Sequence, residues 1–523
     1  MKKLFAKISW KSLLAAVPAG LFILFIFVFL GLNLLGATGT RISQTTAGRS
    51  GLASLSTELE GYMQENFARR TDFIDLNGLT YRVLGINSLN NVQKLKNGYL
   101  SHFFWAYDIT ENAENTIDLN SFLQGLGVEF LYVLSPNHAS MYNVEFSPGY
   151  TSNWLQMKEN MLGFFDDAGV DYIDMSAHFE TEGWTMENVL FQTDHHWLPE
   201  AALEAVRCTM EWLEARDIAE YDQILLDEQS WNKTVLENWF LGSDGERAGQ
   251  YYAGADDITM YEPLFETEYI HMVPGNHVVR YNILDTSYSL AGPNYYNENP
   301  YRMYMYGDPA LRITENALAK NAKRVIILGD SFKMPYEYFL ATQFQEVYTI
   351  DARYNSDGMI AQFIEEYEPD IVISCLYSLN DRGLHTFGVE EFLAAREETL
   401  ASPMKMKELG EVWRTYSESS HNFTVVESNL IPGQDYTLYT DSTRLFGGND
   451  ELHIQLVLQD LTTNTAVLSR YLDANSAEMQ KWYFTTPEDE HNYAIYLYAG
   501  TNGYTENISV KLSDVRLQTG VGD

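Results

Sequence analysis

The stretch "RVIILGDSF", residues 324–332, carries the clearest indication of the fold. Its apolar run is typical of a buried strand, "GDSF" of a tight turn, and the following "MPYEYFLATQF" of a helix. Downstream, "EVYTI" and "DIVISCL" are further apolar runs, separated by the helical segment "DGMIAQFIEEYE". Strands that alternate with helices in this way predict an α/β fold, with a parallel sheet covered by helices on both faces.

The same pattern begins upstream of this stretch. "VEFLYVL" at 128–134 and "DYIDM" at 171–175 predict two more strands, and the segment between them has helical spacing. "PEAALEAVRCTMEWLEAR" predicts an amphipathic helix with Pro199 in its first turn. Residues 221–306 are rich in aromatic residues, Gly, Asn and Asp, and predict long loops, with short strands as an alternative within them, lying over a site. We expect one catalytic domain at 61–405.

The C-terminal part has a different pattern. Six short alternating segments, from "NFTVVESNL" to "ISVKLSDVRL", are separated by turn residues. This pattern predicts a β-sandwich at 420–523, after a linker at 406–419.

The N-terminus has the pattern of a membrane anchor. Four lysines within residues 1–11 precede an uncharged run at 12–36, which exceeds the roughly 20 apolar residues that span a bilayer. The lysines predict a cytoplasmic tail, and therefore extracytoplasmic domains on a stalk at 37–60. A cleaved signal peptide is the alternative, but its apolar region is normally about 7–15 residues with an A-x-A-like cleavage site. We therefore predict a single-pass protein of the cell membrane.

Charge and cysteine content restrict the function. A net charge of −38 argues against nucleic acid as a partner, because phosphates require Lys and Arg. The two cysteines, Cys208 and Cys375, form no readable disulfide framework, and we expect buried thiols. Export without disulfides fits a bacterial envelope.

Ser331 and the motif "TDHHW" at 193–197 are the candidates for chemistry. A serine at a strand-to-helix turn is exposed, and nearby backbone N–H groups can hold an oxyanion, although Gly-Asp-Ser also forms ordinary helix caps. Gly329 allows the turn to tighten. A serine nucleophile needs a base and an orienting carboxylate, which His196 and Asp194 could supply.

A metal site is the alternative interpretation of the two histidines. Adjacent histidines are expected to point apart in an extended loop, and the chain has no H-x-x-x-H pair or cysteine ligand cluster. His102 and His138 have no supporting spacing, so we predict no metal. Arg353 and Tyr354, after the next strand, could bind a polar substrate or an acyl oxygen, or could pair with surface carboxylates.

These motifs together resemble a known family. "TDHHW" resembles the signature of the bacterial DHHW proteins, which are similar to the alginate O-acetyltransferases of the SGNH-hydrolase-like superfamily. Further blocks resemble the family in the expected order over about residues 65–375: "ENFARRTDFIDLNGLTYRVLG", "NGYLSHFFW", "FLGSDGERAG", "DDITMYEP", "VIILGDSF", "TIDARY" and "EPDIVI".

The resemblance implies a Ser–His–Asp triad in which the Asp-x-His pair precedes the serine. Ser331 would be the nucleophile, His196 the general base and Asp194 its orienter, with His195 as a substrate contact. Gly329, Asp330 and Gly307 would lie near the substrate or oxyanion. Residues 306–308 occupy the place of a Gly-Asn turn in relatives, and the Asn is absent here.

The implied function is O-acetylation of a cell-wall or secreted polysaccharide through an acyl-enzyme, without a cofactor. A membrane-bound O-acyltransferase partner would donate the acyl group, and the C-terminal sandwich resembles carbohydrate-binding modules. The tyrosines of residues 221–306 could stack on the sugars. An esterase that uses the same triad, or a non-catalytic glycan-binding assembly protein, are the alternatives.

Overall fold

A computed structural model describes most of the chain between residues 69 and 519. The described residues are 69–103, 107–273, 278–290, 292–351, 353, 359–379, 381–390, 392–394, 405–416, 424–446, 453–463, 465–472, 479–489, 491–500 and 508–519, with 17, 20, 23, 24, 27 and 28. They divide into a small compact unit of residues up to 86 with 247–252, and a large unit of 87–246 with 253–523. In the small unit, the N–H of Gln250 donates to Asp75 Oδ1 at 2.7 Å. The candidate site lies in the large unit.

The elements before the C-terminal region alternate between helices and strands. The helices are α1 Arg70–Leu84, α2 Thr110–Leu126, α3 Trp154–Ala168, α4 Met175–Thr181, α5 Met186–Val189, α6 Pro199–Glu214, α7 Ser243–Ala248, α8 Gln250–Ala253, α9 Lys333–Leu340 and α10 Met359–Tyr367. The strands are β1 Ser88–Leu89, β2 Val92–Lys94, β3 Leu100–His102, β4 Glu129–Leu134, β5 Tyr172–Asp174, β6 Trp231–Phe240, β7 Asp256–Pro263, β8 Tyr269–Val273, β9 Val278–Arg280, β10 Leu311–Asn316, β11 Asn321–Gly329, β12 Phe344–Ile350 and β13 Ile371–Leu376.

An eight-stranded sheet forms the centre of the large unit, in the order β5-β4-β13-β11-β12-β10-β8-β9. The first five strands are parallel, as the alternating pattern predicts, and they include each of the five predicted strands. The sheet is mixed rather than purely parallel, because β10, β8 and β9 extend it antiparallel.

Helices cover both faces of this sheet. Along β4, Phe130 and Tyr132 join one buried cluster, while Leu131 and Val133 join the other. Residues of α3 and α10 belong to the first cluster, and residues of α6 and α9 to the second. Since alternate residues of a strand face opposite sides, each face is packed against its own set of helices.

The segment predicted as loops, 221–306, contains regular structure. Strands β6 and β7 pair as an antiparallel ribbon, and β8 and β9 belong to the central sheet. Tyr261, Tyr301 and Tyr304 are fully buried, so these three tyrosines form core instead of a surface for sugar stacking. The short strands agree with the alternative that the sequence left open, whereas the burial of these three tyrosines was not predicted, because a segment without a clear period does not show which aromatic rings are buried.

The C-terminal region consists of antiparallel strands in two sheets that share buried residues of one core. The strands are β14 Lys405–Tyr416, β15 Thr424–Leu430, β16 Asp435–Thr440, β17 Ser442–Phe446, β18 His453–Asp460, β19 Thr465–Leu472, β20 Gln480–Thr485, β21 Tyr493–Gly500 and β22 Ile508–Thr519. The predicted linker at 406–419 is corrected, because β14 occupies most of it and pairs with β22 over its whole length.

Within the described part of the chain, no helix has the length and apolar character that a membrane crossing requires. The predicted tail at 1–11 and stalk at 37–60 lie outside the described residues, as does the predicted anchor at 12–36 apart from six helical positions.

Candidate active site

Ser331, His196 and Asp194 are joined by hydrogen bonds in that order. Ser331 Oγ lies 2.6 Å from His196 Nε2, although the two residues are 135 positions apart in the chain. The other ring nitrogen, Nδ1, bonds Asp194 Oδ1. Because an ionised carboxylate can only accept, Nδ1 carries the proton and Nε2 is left to accept from the serine hydroxyl. Ser331 is partly exposed, whereas His196 and Asp194 are buried.

Two backbone N–H groups hold the Asp194 carboxylate in place, one from the start of helix α7 and one from the histidine loop itself. Its Oδ2 accepts the N–H of Ser243 at 2.6 Å, and its Oδ1 accepts the N–H of His196 at 3.0 Å. Gly242 makes this approach possible, since a Cβ there would lie 2.1 Å from Asp194 Cβ. No role was predicted for Gly242 or Ser243, although both lie in the block "FLGSDGERAG" that resembles the family.

The histidine loop is shaped by its flanking residues. Leu190 and Trp197 form an antiparallel bridge, and α6 begins two residues later at Pro199. Asp256, at the start of β7, accepts the N–H groups of Gln192 and Thr193, each at 2.8 Å. The loop is therefore closed at its base and tied to β7.

Burial and neighbouring charges set the ionisation of the loop. Burial alone would raise the pKa of Asp194, but the adjacent His196 and His195 and two hydrogen bonds lower it well below its usual value. Burial lowers the pKa of His195 well below normal, so that ring is neutral at neutral pH. Burial raises the pKa of Asp256 to about 6 against the opposing effect of its hydrogen bonds from Thr193 and Gln192.

Aromatic rings hold the imidazole of His196 on two sides. Tyr301 stacks on it with ring centroids 4.3 Å apart, and Phe332 lies at 4.9 Å. Phe332 in turn stacks on Tyr377 at 4.7 Å with an interplanar angle of 6°. These contacts restrict rotation of the base and shield it from water. Tyr301 and Tyr377 were not predicted as site residues, because neither lies in a motif with a chemical signature.

His195 and His196 do not point apart as expected. Their rings are 4.0 Å apart, and ligand atoms of Asp194, His195 and His196 come within 4.8 Å of one another. However, both ring nitrogens of His196 bond triad partners, and Nδ1 of His195 bonds Ser243 Oγ at 2.9 Å. The ring nitrogens of His196 and Nδ1 of His195 are therefore engaged in hydrogen bonds, and the ring of His195 lies beside that of His196.

The turn that presents Ser331 is braced from below. Asp330 accepts the N–H groups of Phe332 and Tyr377, each at 3.0 Å, and is buried. Its carboxylate therefore ties the ends of β11 and β13 together, and its place near the substrate or oxyanion stays a prediction. Gly329 is needed for close packing, since a Cβ there would lie 2.6 Å from the carbonyl oxygen of Cys375.

Gly307 and Arg353 lie in an ionic network beside this turn. The carbonyl of Gly307 accepts Arg312 Nη1 at 2.7 Å, and Gly307 adopts a φ of +98°. Arg353 pairs with Asp351 and, at 3.2 Å, with Asp308. Asp308 also contacts Lys333. Of the two interpretations of Arg353, ion pairing with carboxylates is the one that its contacts show. Tyr354 lies outside the described residues.

Comparison with known proteins was made by sequence and by structure. Residues 104–235 match the family described as "SGNH hydrolase-like domain, acetyltransferase AlgX". No curated protein gives a match. Similar solved structures include Bacillus cereus PatB1, with 21% identity, a TM-score of 0.47, and coverage of 57% of this chain and 99% of that one.

Two further structures are similar to the chain. A DHHW family protein from Eubacterium siraeum has 18% identity and a TM-score of 0.43, with 58% of this chain and 96% of that one covered. AlgX from Pseudomonas aeruginosa has 13% identity and a TM-score of 0.35, with 82% and 95% covered. The family match includes the "TDHHW" loop and ends before Ser331. The resemblance predicted from the ordered motifs is confirmed to this extent: residues 104–235 match the SGNH hydrolase-like acetyltransferase family model, and the similar structures include a DHHW family protein.

Proposed function

We propose that the protein is an O-acetyltransferase that uses Ser331, His196 and Asp194 to acetylate a polysaccharide outside the cytoplasm. The observation that carries this proposal is the 2.6 Å contact between Ser331 Oγ and His196 Nε2, with Asp194 on the opposite nitrogen. A hydroxyl, a base and an orienting carboxylate in this order are the requirements of serine acyl transfer.

The chemistry proceeds in two steps. His196 Nε2 removes the Ser331 proton as Oγ attacks the acyl carbonyl, and then returns that proton to the leaving group. An acyl-enzyme remains. In the second step the same nitrogen deprotonates a sugar hydroxyl, which attacks the ester and releases Ser331. Asp194 stays ionised and stabilises the imidazolium in both steps, which its low pKa favours.

The N–H of Ser331 is the candidate oxyanion donor. The N–H groups of Phe332, Lys333 and Met334 are bonded to Asp330 and Ser331. Among the described residues, the Ser331 N–H makes no hydrogen bond. It is therefore available to the developing negative charge beside the nucleophile.

The acceptor class and location extend this proposal. We infer a polysaccharide acceptor bound in part by the C-terminal sheets, an anchor at 12–36, and a membrane-bound acyl donor partner. The C-terminal sheets pack against the catalytic domain. The hydroxyl of Tyr367 donates to the carbonyl of Ser469, and the ring centroids of Phe392 and Tyr483 lie 6.4 Å apart. A glycan held by these sheets would thus stay at a fixed distance from Ser331.

The catalytic claim is tested with p-nitrophenyl acetate and the full chain. We expect release of nitrophenol by wild type, and a loss of about 10³-fold or more in Ser331→Ala, His196→Ala and Asp194→Asn. Ser289→Ala, at a serine outside the site, is the matched control. Equal rates in wild type and Ser331→Ala would refute the triad.

An esterase with the same triad is separated by the acceptor. Oligosaccharides are added to the acetyl-ester reaction, and the products are weighed by mass spectrometry. Acetylated sugar formed by wild type and absent with Ser331→Ala supports transfer. Acetate without acetylated sugar, across neutral and acidic oligosaccharides, would assign hydrolysis.

A further inference from the structure

A second cluster of reactive side chains lies between helix α4 and the middle of helix α6, outside the triad. His178 on α4 and Glu204 and Cys208 on α6 direct one ligand atom each to a common point, with all three within 4.8 Å of one another. His178 Nε2 lies 3.0 Å from Glu204 Oε1 and 3.4 Å from Cys208 Sγ. Glu204 and Cys208 are four residues apart, so they share one face of the helix.

These separations are close to those of a tetrahedral zinc site. Zinc bonds of about 2.0–2.1 Å to His, 2.0–2.2 Å to carboxylate and 2.3 Å to thiolate place N and O about 3.3 Å apart, and N and S about 3.6 Å apart. The observed 3.0 and 3.4 Å are shorter by a few tenths of an ångström. Small side-chain rotations would therefore admit the ion without movement of either helix.

The surroundings favour a divalent cation. Arg207 holds the other Glu204 oxygen, Oε2, at 2.9 Å, which orients Oε1 towards His178. Glu204 therefore presents a fixed carboxylate oxygen to the same point as the His178 nitrogen and the Cys208 sulfur.

The cluster is also reachable from solvent. The side chains of His178 and Glu204 are 26% and 17% exposed, and Cys208 is partly exposed. A cysteine binds zinc as the thiolate, so the Cys208 thiol must lose its proton when an ion binds. An ion that binds displaces that proton to solvent and forms the metal–thiolate bond.

We propose that His178, Glu204 and Cys208 bind one Zn²⁺ ion, with water as the fourth ligand. One nitrogen, one oxygen and one sulfur donor suit zinc better than Mg²⁺ or Ca²⁺, which take oxygen ligands. The ion joins α4 to α6, whose first turn follows the "TDHHW" loop. It is a structural brace that acts at a distance from Ser331.

The test measures metal directly on the untagged full chain. Metal-free protein is dialysed against Zn²⁺, and bound zinc is counted by mass spectrometry. Co²⁺ is added to a separate metal-free sample as a spectroscopic probe. We expect one Zn²⁺ per chain, a near-ultraviolet thiolate-to-cobalt charge-transfer band, and a melting temperature that rises with Zn²⁺.

Variants assign the ligands. Cys208→Ser should abolish the cobalt band and weaken zinc binding at least about tenfold, and His178→Gln should weaken it similarly with circular dichroism unchanged. Cys375→Ala, at the other cysteine, should keep the stoichiometry and the band. Wild type without stoichiometric zinc, or Cys208→Ser with the same cobalt spectrum and affinity as wild type, would overturn the proposal.

Discussion

The indole N–H of Trp197 donates to the backbone carbonyl of Phe332 at 3.0 Å. Trp197 follows His196 and Phe332 follows Ser331, so this bond joins the backbone of the base to the backbone of the nucleophile. It fixes their separation more rigidly than the His196–Ser331 contact could by itself, because Trp197 is also fully buried.

Trp197→Phe should impair activity through this bond. The variant keeps an aromatic ring but loses the donor, so the bond between the two backbones is lost. We expect a stability loss of about 0.5–1.5 kcal/mol and a fall in kcat of about tenfold or more, since small displacements of base and nucleophile are costly. Kinetics with p-nitrophenyl acetate and urea unfolding measure the two effects.

The control is Trp212→Phe on helix α6, where the indole contacts Arg216 near the surface. It should leave kcat unchanged. If Trp197→Phe also keeps wild-type kcat, the bond has no role in setting the catalytic geometry.

Gly242→Ala should displace the orienting carboxylate. The new Cβ would lie 2.1 Å from Asp194 Cβ, so the Ser243 loop or Asp194 must move. We expect kcat to fall by about a hundredfold, with a smaller change in KM, because the base loses its orientation. Gly163→Ala in helix α3, where a Cβ meets nothing within 4 Å, should leave activity unchanged. Equal kcat in both variants would contradict this prediction.

Arg312 and Glu337 form a fully buried ion pair that should be essential to folding stability. Both side chains are 0% exposed, and Arg312 also donates to the carbonyls of Met305 and Gly307. Arg312→Met leaves an unpaired buried carboxylate, and we expect a loss of about 3–5 kcal/mol in the free energy of unfolding.

Arg312→Met/Glu337→Leu should recover part of this loss, because the buried charge is removed. Arg216→Met, which breaks an exposed pair with Asp171, should cost less than about 1 kcal/mol. Denaturant titrations report these differences. A loss for Arg312→Met no larger than for Arg216→Met would be inconsistent with the buried pair.

Asp256 predicts a pH dependence of stability. Burial raises its pKa to about 6, above the roughly 3.9 of an exposed Asp. A carboxyl with a raised folded-state pKa stabilises the fold when protonated. Its contribution is therefore complete below pH about 4 and is lost as pH rises through about 6.

Asp256→Asn keeps a neutral side chain at every pH. The stability of wild type minus that of Asp256→Asn should therefore fall between pH 4 and 7, by at most about 3 kcal/mol. Asp257→Asn, at the exposed neighbouring residue, should show no such trend. A difference that rises with pH would reverse the sign and reject the raised pKa.

The correct and wrong predictions differ in how local their evidence is. Strands such as Ile371–Leu376 are buried on both faces, so their apolar run is visible without knowledge of the neighbours. Lys405–Tyr416 contains five charged residues and was interpreted as linker, yet it is a strand because it pairs with Ile508–Thr519. Strand stability of this kind comes from cross-strand partners, which a local pattern does not contain.

The candidate site shows the same division. Asp194 and His196 are two residues apart and Ser331 lies at a strand-to-helix turn, so their chemistry could be inferred from residue type and spacing. Ser243, Gly242 and Tyr301 complete the site through contacts that exist only after folding. No residue-type signature marks a backbone N–H, an absent Cβ or a stacked ring.

The sequence by itself indicated the alternating α/β pattern through local composition, and it marked Ser331 and the "TDHHW" motif as candidates for acyl transfer through residue type and spacing. The tertiary structure decided which histidine faces Ser331, what holds Asp194, and how the sheet continues beyond its parallel strands. It also brought His178 to Glu204 and Cys208. These relationships depend on distances between distant parts of the chain, which are set when the strands and helices pack together.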